Sequence, residues 1–411
     1  MITLEHCRSL DAADPLRPFA DRFERPAGDR IFLDANSIGA MPRTVPARLE
    51  RLCREVWTNE RRRAWSSTDW LDRPRAIGAA LAPLVGARPE DVTVADNTTV
   101  NLFKLLAQAW TIRRSGHVVV SERGNFPTDL YVLQGMARFL GGAPEIRLVD
   151  GDDDLAEAID ADVAVVHLSL VDYRSSRRRD MGAVNARAKA AGALTLWDLS
   201  HAAGAIPIDL MGTGADFAVS CGYKYLCGGP GAPALIWAHP DHGDAAWPAI
   251  CGWMGHADTF AFAGDYVPMP GVGRYATGTP PVIANEAFWA MAEIWAEVDP
   301  TTLWAKHRAL GDLLIALLDQ ECGGLGIAIA APVDYDRRGG HVAVTHPHAG
   351  PVCEALVEAG VVSSFRKPDA LRFGLGPLYL SHVEIWEAVR RLKAILVAES
   401  WRAARFQAVK V

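Results

Sequence analysis

From residue 92 to residue 221 the chain alternates between short β-rich runs and helical stretches, and that alternation restricts the fold more than any other feature. The β-rich runs are VTVAD (92–96), HVVVS (117–121), ADVAVVHLSL (161–170), ALTLWD (193–198) and FAVSC (217–221). Between most of them lie NLFKLLAQAW (101–110), DLYVLQGMARFL (129–140) and NARAKAAG (185–192), read as helices. Strands buried on both faces and separated by helices imply a mostly parallel sheet sandwiched by helices.

Outside this region the pattern changes. The first forty-odd residues read as irregular apart from the strand-like IFLDA at 31–35, and a helical pattern starts near 46 with Leu49, Leu52, Val56 and Trp57. Between 290 and 320 it becomes long amphipathic helix, followed by HVAVTH, LRFGL and a last helix, HVEIWEAVRRLKAILVAE. This predicts a large α/β domain over 46–295 and a smaller α+β domain over 296–411. Residues 1–45 are expected to associate with the small domain.

Bulk properties exclude several classes. The 411 residues are 50% hydrophobic and 22% charged, with a formal net charge of −7, which argues against a polyanion-binding surface. Arg61-Arg62-Arg63 and Arg177-Arg178-Arg179 are short runs offset by nearby acids. Seven cysteines form no C-x-x-C pair and are odd in number, so no disulfide framework is expected. The first residues lack a signal-peptide apolar core, and no run approaches 18 apolar residues. The expectation is a cytoplasmic protein that binds neither nucleic acid nor membrane. His346-Pro347-His348 and His239-Pro240-Asp241-His242 lack a third ligand at a recognisable spacing, so no metal is expected.

Two residues carry the chemistry. Asp198 closes the run ALTLWD and is followed by Leu-Ser-His-Ala-Ala-Gly. Lys224 follows the run FAVSC and precedes the glycine-rich Gly228-Gly229-Pro230-Gly231. Ligand groups on open α/β sheets gather at the carboxyl ends of strands. A pyridoxal phosphate site needs a lysine to form an imine and a carboxylate to hold the ring nitrogen protonated. It also needs donors for the phosphate and a flat partner for the ring. Thr98 and Thr99 open the helix NLFKLLAQAW, where free N–H groups and hydroxyls suit a phosphate, although both residues also fit a plain helix cap.

Asp198-Leu-Ser-His-Ala-Ala-Gly204 with Tyr223-Lys-Tyr-Leu-x-Gly-Gly-Pro-Gly231 resembles the class V branch of fold-type I pyridoxal-phosphate enzymes. Within that branch the chain resembles the kynureninase family. The motifs are Asp34-x-Asn36-Ser37-Ile38-Gly39, Asn97-Thr-Thr-Val-Asn-Leu102, Phe126-Pro-Thr-Asp129, Gly252-Trp-Met-Gly-His256, Gly278-Thr-Pro-Pro281 and Leu371-Arg-Phe-Gly-Leu-Gly-Pro-Leu-Tyr379. They run in order from 34 to 379. The resemblance implies pyridoxal 5′-phosphate held by Lys224 as a Schiff base, with Asp198 at the ring nitrogen. It places Phe126 on the ring face, Asp129 beside the ring, and Thr98, Thr99, Ser169, His201 and Tyr223 around the cofactor, with Tyr223 a candidate proton donor. Trp253 and Thr279 would reach the phosphate from a second subunit, which implies a homodimer with shared sites.

Arg372 is the natural clamp for an α-carboxylate, because guanidinium and carboxylate match as a bidentate fork. Ser37, Trp65 and His256 are the candidates for the aryl end of the substrate. The family reaction is hydrolytic cleavage of the Cβ–Cγ bond of L-kynurenine, or a substituted kynurenine, to anthranilate and L-alanine in tryptophan catabolism. This chain departs from the family pattern at Asp34-Ala35-Asn36, at Arg174-Ser175-Ser176-Arg177 and in the charged segment 59–63, which leaves the identity of the aryl group open. Other readings are a class V aminotransferase, a cysteine desulfurase using Cys322 or Cys353, and a non-catalytic binding protein. The intact Lys224, Asp198 and Arg372 speak against the last.

Overall fold

The structure is a computed structural model, and it describes residues 1–113 and 115–407. Its N-terminal part holds the short strand β1 (Ile31–Phe32). The central sheet has seven strands: β2 (Val92–Ala95), β3 (Val118–Glu122), β4 (Glu145–Val149), β5 (Val163–Ser169), β6 (Leu194–Asp198), β7 (Phe217–Ser220) and β8 (Ala234–Ala238). They lie in the order β2-β8-β7-β6-β5-β3-β4, with β8 alone antiparallel to its neighbours. Each expected run became a strand, shifted by a residue or two at its ends. The strands β4 and β8 were not among the runs read as strands; β4, with four of its five residues exposed or half-buried, lacks the apolar signature of a central strand.

The helices between the strands start where local chemistry permits. Asn97 caps the helix Thr98–Ile112 by accepting from Val100 N–H at 3.1 Å. Asp180 caps Met181–Ala191 in the same way. Pro127 opens the helix Pro127–Phe139, where its missing N–H has no cost. Leu102, Leu105 and Leu106 of the first helix and Leu133 and Met136 of the second bury against Val119, Val165, Leu196 and Val219 of the sheet.

The smaller unit is built on an antiparallel sheet of β9 (Ala328–Ile329), β10 (His341–Thr345), β12 (Ser364–Arg366) and β13 (Ala370–Gly374), in the order β12-β13-β10-β9. The intervening strand β11 (Val361–Val362) pairs in parallel with β1. A separate hydrophobic cluster joins Leu310, Leu314 and Leu317 to Leu356, Phe373 and Leu392, and it takes in Cys7, Ile31 and Leu33. Leu16, Phe23 and Ala35 belong instead to the core of the central sheet, so the N-terminal segment ties the two cores together.

That segment also corrects an expectation. Residues Leu4–Ala12, read as irregular, form a helix capped by the Thr3 hydroxyl. Its Asp11 carboxylate accepts from His382 Nδ1 at 2.8 Å and from two backbone N–H groups at the start of the helix His382–Val397. A helix of nine residues is marginal alone. Docking against the C-terminal helix supplies the missing stability, and that contact lies some 370 residues away in sequence.

Among the described residues, no helix is long and apolar enough to cross a membrane.

Candidate active site

The carboxyl ends of five central strands converge on one cavity of about 180 Å³. The turn after β2 brings Asn97, Thr98 and Thr99, and the turn after β3 brings Phe126 and Asp129. The strand β5 contributes Ser169, β6 contributes Asp198, and the segment after β7 contributes Tyr223 and Lys224. The parallel register sets Ser169 directly beside Asp198, so both project to the same face.

Lys224 Nζ lies 2.9 Å from His201 Nε2 and 5.7 Å from the centre of the Phe126 ring. Burial and the nearby Lys224 cation hold His201 well below the usual imidazole range, so the neutral ring accepts from Lys224. The Phe126 ring is 37% exposed on the cavity and is braced edge-on by Tyr173 at 5.3 Å and 88°. Ser169 Oγ donates to Asn125 Oδ1 at 2.6 Å, and that oxygen also accepts from Phe126 N–H, which fixes the turn carrying the aromatic ring.

Asp198 is 6% exposed, and its Oδ1 accepts from Ser200 N–H at 2.7 Å. Burial first and the Asp129 charge second push its carboxyl up to about 6, against the pull of Ser200 and Lys224. A carboxylate in that condition lacks a full counter-charge, and a cation placed beside it would be held strongly. The phenol of Tyr223 is pushed up to about 12 by burial, so it remains a proton donor across the neutral range.

The helix start beside the cavity also suits an anion. Asn97, not Thr98 or Thr99, caps the helix, so both threonine hydroxyls are without a hydrogen bond among the described residues and stand at a helix N-terminus. The preceding residue, Asp96, has a left-handed φ of +34°. The fully buried Lys104 ammonium binds Asp96 and donates to the Tyr275 carbonyl at 2.6 Å, which pins that strained turn. A lysine amine, an underneutralised carboxylate, an exposed ring face and free donors at a helix start fit pyridoxal 5′-phosphate.

Arg372 stands one layer behind the cavity wall, on β13. It is fully buried, donating to the Tyr173 carbonyl at 2.6 Å and to Ser364 Oγ at 3.1 Å. Asn36, with its amide oxygen toward the guanidinium, accepts from Arg372 at 3.2 and 3.3 Å. Gly374 permits this approach, because a Cβ there would lie 2.1 Å from the Asn36 side chain. Ser37 donates to Asp34 at 2.7 Å in the same segment. Gly39 lies so close to the Lys224 loop that a Cβ would come within 2.4 Å of the Lys224 carbonyl. The motif from Asp34 to Gly39 therefore links the arginine to the lysine.

Four sequence candidates stand elsewhere within one chain. Trp65 packs edge-on against Trp70 at 5.2 Å and lines a separate apolar cavity of about 920 Å³, which Thr279 also lines. Trp253 is 38% exposed and packs on Phe260. His256 is engaged with the backbone of Asp258 and Asp265. Sequence reasoning missed Asn97, Asn125, His167 and Tyr173. A histidine inside the otherwise apolar run VAVVHLSL was an available signal, since a polar group in a buried strand demands a partner.

The chain matches the family model described as the kynureninase C-terminal domain over residues 303–392. It is 45% identical over 401 residues to a kynureninase of Deinococcus radiodurans, covering 96% of this chain and 97% of that protein. The chain belongs to the kynureninase family. Kynureninases of Burkholderia mallei and Pseudomonas fluorescens are 41% and 40% identical over 411 residues, covering 99% of this chain and 98% and 99% of those proteins. Similar solved structures include a cysteine desulfurase from Thermococcus onnurineus NA1 (18% identity, TM-score 0.74, covering 90% of this chain and 95% of that one). The cysteine desulfurase CsdA from Escherichia coli is also 18% identical, with a TM-score of 0.76 and coverage of 93% and 98%.

That shared fold does not carry desulfurase chemistry into this member of the kynureninase family. Cys322, which ends the helix Pro300–Cys322 rather than sitting in a turn, is fully buried. Cys353 is 5% exposed, and burial pushes both thiols up to about 11, away from the reactive thiolate.

Proposed function

We propose that this chain hydrolyses the Cβ–Cγ bond of L-kynurenine, or a substituted kynurenine, to anthranilate and L-alanine, with pyridoxal 5′-phosphate as cofactor. The observation that carries this reading is the cavity at the strand ends, where Lys224, His201, Asp198 and Phe126 meet in a chain alignable with kynureninases over nearly all its length.

Lys224 would hold the cofactor through its side-chain nitrogen, Asp198 would serve the ring nitrogen, Phe126 a ring face and Asp129 the ring's side. Thr98, Thr99, Ser169, His201 and Tyr223 complete the cofactor contacts. When bound, the cofactor supplies an electron sink for charge released at the substrate's α-carbon. Lys224, freed by the incoming amine, takes the Cα proton, and the neutral His201 ring at 2.9 Å orients its nitrogen. Water adds to the substrate's γ-carbonyl, the Cβ–Cγ bond breaks, and the acyl carbon leaves as the anthranilate carboxylate. Cβ then takes a proton from the Tyr223 phenol or from Lys224, Cα regains the proton that Lys224 removed, and the proton released by water as the carboxylate forms restores the donor.

Arg372 receives the α-carboxylate, which reaches it by displacing the Tyr173 carbonyl from the guanidinium. Ser37, Trp65 and His256 belong to the aryl end. Because Trp253 and Thr279 lie off the Lys224 cavity within one chain, their role at the phosphate is supplied by a second copy in a homodimer. Residues 46–295 form the large cofactor-binding domain and 296–411 the small domain, with which the N-terminal segment 1–45 associates. The protein acts in the cytoplasm. Incubation with L-kynurenine and 3-hydroxykynurenine, following anthranilate fluorescence and alanine together, tests the reading. A spectral response of bound cofactor with neither product from either substrate refutes it.

A further inference from the structure

Beneath the cavity lies a titratable group that the proposed reaction does not use. His167 occupies the middle of β5 and is fully buried. Its Nδ1 is 3.0 Å from the Leu196 carbonyl on the neighbouring strand. A carbonyl oxygen only accepts, so Nδ1 carries a proton. Its Nε2 lies 3.3 Å from Asp129 Oδ2, within ion-pair distance, and neither of these two buried atoms has a hydrogen-bond partner among the described residues. Asp129 is 1% exposed, and its charge reaches Asp198.

We propose that His167 is a positioning residue that carries a proton on both ring nitrogens, holding Asp129 ionised beside Asp198 so that the cofactor ring nitrogen meets a charge-balanced pair of carboxylates. Asp129 and Asp198 are both buried, 1% and 6% exposed. Two buried carboxylates close enough to disfavour each other's charge force one of them to take a proton unless a cation intervenes. Lys224 contacts His201 and the Phe126 ring, and its charge only partly offsets the burial of Asp198. His167 is the remaining cation-forming side chain in contact with Asp129. With an imidazolium below and a protonated ring nitrogen above, the two carboxylates are neutralised. With a neutral group at 167, the protonation demanded of one carboxylate competes with the counter-charge offered to the cofactor.

The groups facing His167 agree with this. Burial opposes the imidazolium, yet the adjacent Asp129 carboxylate outweighs it, so the ring is held above the usual imidazole range, with Asp198 adding in the same direction. The helix Thr98–Ile112, also packed on this sheet face, presents Leu102, Leu105 and Leu106 there, while its buried Lys104 is engaged by Asp96 and the Tyr275 carbonyl. Asp129 from its helix and Asp198 from β6 are thus the charged groups that His167 faces, with Tyr223, Cys221 and Lys224 beyond them across the cavity.

The test has two arms. In apoenzyme labelled with ¹⁵N-histidine, the His167 ring nitrogens are expected to report a doubly protonated imidazole at pH 7.5, above the ordinary midpoint of about 6.5. Asp129→Asn should convert it to a neutral ring protonated on Nδ1. A neutral ring in the wild-type protein at pH 6.5 overturns the proposal. In the second arm, His167→Gln is titrated with pyridoxal phosphate between pH 5 and 8.5. Binding is expected to weaken about tenfold at pH 8, the equivalent of one pKa unit, with the loss shrinking towards pH 5 as carboxylates take up protons. A loss equal at every pH marks His167 as a packing residue only and refutes the charge role. Where His167→Gln does not fold, the Asp129→Asn spectrum decides. The proposal rests on the reading of Asp198 as partner of the cofactor nitrogen. Failure of the wild-type chain to bind pyridoxal phosphate removes that reading, while the apoenzyme spectrum still decides the protonation of His167.

Discussion

Asp198→Asn removes the charge from a buried carboxylate while leaving an oxygen to accept from Ser200 N–H. In the apoenzyme the Asp198 carboxyl is pushed up from 3.8 to about 6, by burial first and by the Asp129 charge second. A carboxyl raised in the folded state binds its proton more tightly there than in the unfolded chain. Ionising it therefore costs stability: nothing below pH 3.8, progressively more above it, and the full amount beyond pH 6. A rise of roughly two units corresponds to about 3 kcal/mol. Asp198→Asn should thus stabilise the apoenzyme by up to about 3 kcal/mol at pH 8, and by clearly less at pH 4.5. With pyridoxal phosphate the sign reverses, because the ring nitrogen loses its counter-charge and the cofactor binds more weakly. Urea unfolding of both apoproteins at the two pH values, followed by cofactor titration at pH 8, measures each quantity. An Asn variant no more stable than wild type at pH 8, or one equally stabilised at both pH values, would refute the reasoning.

Arg372→Lys keeps the charge and loses the fork; one charge-assisted hydrogen bond fewer should lower kcat/KM roughly 10- to 100-fold with cofactor absorbance unchanged. Retention within threefold in steady-state anthranilate assays removes Arg372 from the carboxylate site. Tyr223→Phe deletes a phenol pushed up to about 12, so kcat should fall about 100-fold or more with no change in the pH profile below pH 10. A loss confined to KM would instead assign Tyr223 to binding. Trp253→Ala and Lys224→Ala, each inactive alone, should regain about a quarter of wild-type activity when mixed and allowed to exchange subunits, since a hybrid dimer has one intact site. No recovery despite exchange, followed by native mass spectrometry of tagged subunits, places Trp253 in the same chain's site.

Much of the site was legible because its chemistry is attached to local boundaries. Asp198 ends a strand, Lys224 follows one, Thr98 and Thr99 start a helix, and Phe126 precedes the proline that opens another. Strand ends and helix starts are announced by short-range patterns, and an open α/β sheet collects them at one edge. The plain-cap alternative for Thr98 and Thr99 gives way to Asn97, one residue earlier, which leaves both hydroxyls without a partner among the described residues. The N-terminal helix was illegible for the opposite reason: its partner, His382, is at the far end of the chain.

The alternation of strand and helix, with charged chemistry at the strand ends, was therefore determined by the sequence alone, as the periodicity of apolar side chains dictates which faces must be buried. Only the tertiary structure decided which charges meet. His201 turned out to accept from Lys224 at 2.9 Å, Arg372 to be sequestered by Tyr173, Ser364 and Asn36, and His167 to lie under Asp129. Trp65, Trp253, His256 and Thr279 were set apart from the Lys224 cavity of their own chain. Such pairings join segments tens to hundreds of residues apart. They follow from strand order and register and from burial in a dry interior, and no local pattern encodes either.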